Sequence, residues 1–162
     1  MAILLQFMEK FEIILVQEAH GSQEHILTVS SRFPGWKWFG TFCPTGNKGG
    51  VIVAVSPSIC RLVSDFVWSE LVEGRLGRLD LYVGEACLSV INIHVDPNLR
   101  RGEFRKLITC VRDQFANMKG MGLMGGDFNF VDEEEGRLDA QNGVTVHDRC
   151  WRENIFYELV DS

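Results

Sequence analysis

MGLMGGDFNF, residues Met121 to Phe130, is the stretch on which the fold turns. Its apolar start is of strand length, and the two glycines at Gly125 and Gly126 let another group come close to the backbone. Side chains alternate faces along a strand. The period of two therefore predicts that Asp127 and Asn129 point one way at the strand end, while Phe128 and Phe130 point into the core. A carboxylate beside a carboxamide suits work on a phosphodiester, because the first orients and deprotonates water while the second donates to a phosphate oxygen. Taken alone, Asp-x-Asn after an apolar run is more often an Asx turn that ends a strand.

Working outward, Gly120 stops a helix whose apolar positions Phe104, Leu107, Ile108, Val111, Phe115 and Met118 recur at helical spacing, with Asp96-Pro97 as its cap and first-turn proline. Before it lies the strand ACLSVINIH, Ala86 to His94, which ends in Asn92-Ile93-His94. The i, i+2 spacing puts Asn92 and His94 on one face. A histidine at a strand mouth either donates to a phosphate oxygen or is tied structurally to a neighbouring loop. Further strands are read at Leu79 to Val83, around Ile59 to Val63, and over Gly49 to Val55, with turns that suggest antiparallel hairpins. Ser22 to Ser31 reads as a helix, and Pro34-Gly35 turns the chain into the aromatic segment Trp36, Trp38 and Phe39. FEIILV, Phe11 to Val16, is a continuous apolar run that suggests a strand buried on both faces. It follows a short helix over Met1 to Lys10 and leads into Gln17-Glu18. A carboxylate placed there suits a hard cation, or else simply faces solvent. Downstream, Asp132 to Glu135 reads as a solvated acidic loop and Asp148 to Leu159 as a weaker helix.

The 162 residues are 46% hydrophobic and 23% charged, which suits one globular domain. A net charge of -6 and a pI near 5.2 exclude a protein that coats nucleic acid by electrostatics alone, so any such contact is local. Cys43, Cys60, Cys87, Cys110 and Cys150 form no CxxC pair and read as reduced core thiols. No signal peptide is read at the start, and intracellular residence is the expectation. The bland reading is adopted for His20 (an exposed loop histidine), for Arg100, Arg101, Arg105 and Lys106 (a solvated helix face), and for Trp36 and Trp38 (core packing rather than base stacking).

The order of Val16-Gln17-Glu18, Lys48-Gly49-Gly50-Val51, Gly74-Arg75, Asn92-Ile93-His94 and Gly126-Asp127-Phe128-Asn129 resembles the endonuclease/exonuclease/phosphatase superfamily of metal-dependent phosphodiesterases, from Phe11 to about Leu159. Within it the chain looks most like retrotransposon endonuclease domains. The resemblance implies an α+β fold: a two-layer, mainly antiparallel β-sandwich flanked by helices. It implies that Glu18 binds Mg²⁺, with Mn²⁺ as a substitute, that Asp127 activates water, and that Asn129 contacts the scissile phosphate. His94 would stabilise the transition state, and Lys48 and Arg75 would contact substrate. The implied partner is nucleic acid, DNA foremost, and the implied compartment for a retroelement is the nucleus. Two departures stand out. Members of this superfamily begin with an asparagine-bearing strand that helps bind the metal, and they end in Ser-Asp-His; neither is found here, and Val146-His147-Asp148 has the wrong order. The chain is therefore expected to be a single partial domain over residues 1–162, lacking strands at both ends, and marginally stable or prone to aggregate. Two alternatives remain beside the endonuclease: an inactive remnant or incomplete gene model of a retroelement, and a phosphatase or phosphodiesterase acting on small-molecule or lipid phosphates.

Overall fold

The computed structural model of the chain describes residues 2–44, 48–129, 137–138, 145–146 and 151–160. Phe130, the acidic run 132–135, His147-Asp148 and Cys150 lie outside them. In chain order the elements are α1 (Ala2–Met8), β1 (Ile13–Gln17), α2 (Gln23–Arg32), β2 (Lys37–Thr41), β3 (Val51–Val55), α3 (Pro57–Cys60) and β4 (Asp65–Val72). Then come β5 (Leu76–Val83), β6 (Ala86–His94), α4 (Arg101–Ala116), β7 (Met121–Asp127), β8 (Arg137–Leu138), β9 (Thr145–Val146) and α5 (Trp151–Val160). The chain forms two compact units, one of Met1–His94 with Met118–Asp127 and the other of Val95–Asn117 with Phe128–Ser162.

The first unit is an α+β sandwich. One sheet has the order β1-β3-β2, all antiparallel, with Ile13 and Lys37 both opposite Val55. The other has the order β4-β5-β6-β7; its first three strands are antiparallel and β7 runs parallel to β6. Period-two alternation turns Val53 and Val55 of the first sheet toward Leu79, Leu81 and Val90 of the second, and Leu15, Phe39 and Trp68 close around them. Burial of each such aliphatic side chain contributes roughly 1.5–3 kcal/mol. The indole of Trp68 lies across Gly77, where a Cβ would come within 2.2 Å of the ring. On the outer side, α2 rests on β2: a Cβ at Gly40 would meet Ile26 Cδ1 at 2.9 Å.

One polar side chain ties the two sheets together. Asn92, fully buried in β6, donates through Nδ2 to Val16 O (3.0 Å) and Ile52 O (2.8 Å), and its Oδ1 accepts from Gln17 Nε2 (2.7 Å). A buried amide must be satisfied, and here all its bonds reach across to β1 and β3.

Four expectations are corrected. The run Phe11 to Val16 is not buried on both faces: β1 starts at Ile13 and is half-buried throughout, and among the described residues it lies at one edge of its sheet. The segment around Ile59 to Val63 is not a strand. Pro57 starts the short helix α3 there, Ser56 Oγ accepts the Ile59 amide at 3.4 Å, and the strand comes later as β4. Asp96 is not the cap of α4 either. Its carboxylate accepts the Asn98 amide (2.8 Å) in an Asx turn, and the helix begins after Arg100, whose amide donates to Glu103 Oε2 (3.0 Å). The described cysteines, Cys43, Cys60, Cys87 and Cys110, are free as expected, but half-buried rather than in the core.

In the second unit α4 and α5 pack on each other, with Phe104 edge-on to Trp151 at 5.5 Å. Phe128 meets Phe156 at 5.3 Å. Buried Arg152 donates to Asn129 O (3.3 Å), Asp96 O (3.5 Å) and Pro97 O, drawing two loops together. Arg100, Arg101, Arg105 and Lys106 are exposed, as a solvated face requires, and Arg105 pairs with Glu158 at 3.0 Å.

Candidate active site at the strand ends

Three of the motif residues meet at one end of the first unit's sandwich. The parallel register of β6 and β7 sets His94 directly beside Asp127, Ile93 beside Gly126 and Asn92 beside Gly125. That register depends on glycine: a Cβ at Gly126, whose φ is 154°, would stand 1.9 Å from Ile93 O. From the facing sheet β1 delivers Glu18, whose Oε1 lies 3.3 Å from His94 Nε2. The contact is electrostatic, since its geometry is not that of a hydrogen bond. The His94 side chain is 1% exposed and that of Glu18 57%, so a buried ring meets a solvent-facing carboxylate.

Two loops complete this end. Gly50 donates its amide to Gly74 O (2.8 Å) and accepts from Ala19 N (3.1 Å), which places Lys48-Gly49-Gly50 between the end of β1 and the β4–β5 turn. From that turn Arg75 reaches His94: its carbonyl accepts the His94 amide (2.8 Å), and its Nη1 stands 2.8 Å from His94 Nδ1. Lys48 is exposed. His20, expected to be a plain loop histidine, is half exposed with Nε2 4.0 Å from Glu18 Oε2, at the rim.

Glu18 has a φ of 51°, as does Asn129. Asparagine tolerates the left-handed region, whereas glutamate is unusual there. The period of two stops at Asp127, where β7 ends, so strand alternation does not set the direction of the Asn129 side chain. Asn129 belongs to the second unit, where its Nδ2 donates to Val95 O at 2.6 Å.

No protein-family model matches the sequence, and no curated protein matches it either. Solved structures do. The AP endonuclease LMAP from Leishmania major superposes with a TM-score of 0.73 at 15% identity, covering 99% of this chain and 60% of that one. The endonuclease domain of TRAS1, a telomere-specific non-LTR retrotransposon, gives 0.62 at 12% identity over 94% of this chain and 60% of its own. D. rerio TDP2, solved with a single-strand DNA product, gives 0.58 at 13% identity over 82% and 54%. The chain and these structures share one fold. At these identities the likeness is one of fold, and the chain spans between 54% and 60% of the length of these three structures.

The sequence resemblance implies a divalent cation, and the residues at this end bear on whether one fits. Among the described residues no three His, Cys, Asp or Glu side chains gather as a metal cage. Mg²⁺ does not need one, because it keeps several waters and takes one or two carboxylates together with substrate phosphates. The exposed carboxylate of Glu18 fits that requirement. What the sequence missed is Arg75's contact with His94. Its signal lay in the Gly-Arg turn at the start of the strand that pairs with Asn-x-His.

Proposed function

We propose that this chain carries the core of a nucleic-acid phosphodiesterase that cleaves by hydrolysis, most simply as an endonuclease. The single observation that supports it is the meeting of Glu18, His94 and Asp127 at one end of the sandwich, in a fold shared with enzymes of that chemistry. Glu18 would hold Mg²⁺ or Mn²⁺, which when bound supplies positive charge to polarise the phosphoryl group and offset the charge that builds on it. Asp127, exposed at the end of β7, orients a water and takes its proton as the water attacks phosphorus. His94 donates toward the phosphoryl oxygens from a fixed, buried ring. Asn129's phosphate contact, and substrate contact by Lys48, rest on the sequence resemblance. DNA is the substrate we favour. A retroelement parent, which the likeness to the TRAS1 domain supports, would place the activity in the nucleus.

The decisive experiment is nicking of supercoiled plasmid, with Mg²⁺ and with EDTA, by the chain and by Asp127→Ala. Nicking that needs Mg²⁺ and falls about 10²–10⁴-fold in the variant is expected. Activity that ignores both EDTA and the substitution overturns the reading. The same assay separates a second reading, a non-catalytic remnant of a retroelement. No nicking by a folded chain in either metal would establish it.

A further inference from the structure

We propose that Arg75 is a positioning residue for His94 rather than a contact to the substrate phosphate. Its guanidinium selects the imidazole tautomer that carries the proton on Nε2. A guanidinium has five donors and no acceptor. With Arg75 Nη1 2.8 Å from His94 Nδ1, the ring nitrogen must therefore be the acceptor, and the proton of the neutral ring resides on Nε2. That is the nitrogen turned toward Glu18 Oε1, at 3.3 Å. In the other tautomer a lone pair would face a carboxylate, and the ring would have no hydrogen to offer a phosphoryl oxygen.

Three features hold the arginine to this task. The backbone fixes it first: Arg75 O accepts the His94 amide (2.8 Å) and its own amide donates to Val72 O (2.9 Å), so both ends of the pair are set by the β4–β5 turn and its ladder to β6. Next, Gly49 roofs the guanidinium. A Cβ there would stand 3.2 Å from both Cζ and Nη1 of Arg75 and 2.8 Å from Gly74 O, so the glycine leaves the room the side chain occupies. Finally, the ring it serves is buried, with a side chain 1% exposed, so solvent does not stand in for the missing donor. The Lys-Gly-Gly and Gly-Arg motifs thereby acquire one shared role, which is to seat a donor behind the histidine.

The catalytic consequence rests on the phosphodiesterase reading, whereas the tautomer itself does not, and the test separates the two. In ¹⁵N-histidine-labelled protein, long-range ¹⁵N–¹H correlation reads each ring's tautomer, and His94→Gln assigns the signals. The expected result is an Nε2-protonated His94 in the wild-type chain, retained in Arg75→Lys, which keeps a donor-only group, and lost or mixed in Arg75→Met. An Nδ1-protonated ring in the wild type overturns the proposal, as does an unchanged ring in Arg75→Met or a lost tautomer in folded Arg75→Lys. If Arg75→Met does not fold, Gly49→Ala replaces it. There the guanidinium is displaced while its charge stays, and the same loss or mixing of the tautomer is expected, an unchanged ring again being fatal. Where the chain nicks plasmid, Arg75→Met should lower kcat at least about tenfold, since a misplaced proton on a catalytic imidazole is costly, with KM within about twofold of wild type. A KM effect alone would make Arg75 a substrate contact. A chain that does not nick at all defeats the phosphodiesterase reading and leaves the spectroscopic arm to decide this one.

Discussion

β6 and β7 lie side by side in the same register, yet they live in different surroundings. Asn92, Ile93 and His94 at the end of β6 are at most 1% exposed. Along β7, Met121 is 73% exposed and Leu123 51%, and among the described residues the strand has β6 on one side and no strand on the other. The interior strand carries buried residues that hold the fold, and one of them, His94, belongs to the proposed site. The edge strand ends on Asp127, which is exposed. Substitutions at matching positions should therefore separate stability from activity.

The largest effect on folding is expected where the two strands touch. Gly126→Ala places a Cβ on Ile93 O and should cost about 3 kcal/mol, the upper part of the ordinary range for one substitution. Urea unfolding with an unchanged m-value checks it, and a midpoint equal to wild type would mean the register is not as described. Next comes Asn92→Ala, which strips partners from Val16 O, Ile52 O and Gln17 and should cost roughly 2 kcal/mol. A loss confined to activity would show that the two sheets do not depend on this clamp. The smallest effect belongs to the edge: Leu123→Lys should stay within about 0.5 kcal/mol of wild type. It should also reduce self-association in light scattering, because a charge on an open edge opposes strand addition. More association in that variant would place the sticky surface elsewhere.

Much of this was legible in the residue pattern. Ala86 to His94 stands out as a strand because it is a mainly apolar run of strand length between turn signals, and β6 has those bounds. The Gly-Asp-Phe-Asn segment announces a strand end carrying a carboxylate, and β7 ends on Asp127. β4 escaped notice because Val67 and Leu71 blur its period of two and a bulge interrupts it between Glu70 and Val72. Asn92 was read beside His94 as part of one site, but its three bonds go to residues 40 to 76 positions away, and no local pattern encodes such separations. Asn129 is a different case. The period of two was extended past the last ladder bond, where the backbone turns left-handed. Arg75 was assigned to the substrate from motif order, and only the fold shows that its Nη1 also stands 2.8 Å from His94 Nδ1.

Glu18 holds a backbone conformation that suits glycine, at a cost of roughly 1–3 kcal/mol, and places an exposed carboxylate where the fold itself has no use for one. With Glu18 holding the cation as proposed above, folding and catalysis want different residues at this position. Under the retroelement reading proposed above, that conflict leaves a record among the gene's copies. Copies still held to activity must keep the strained glutamate, whereas copies released from it gain by drifting to glycine or asparagine, so the letter at this position dates the retirement of each lineage.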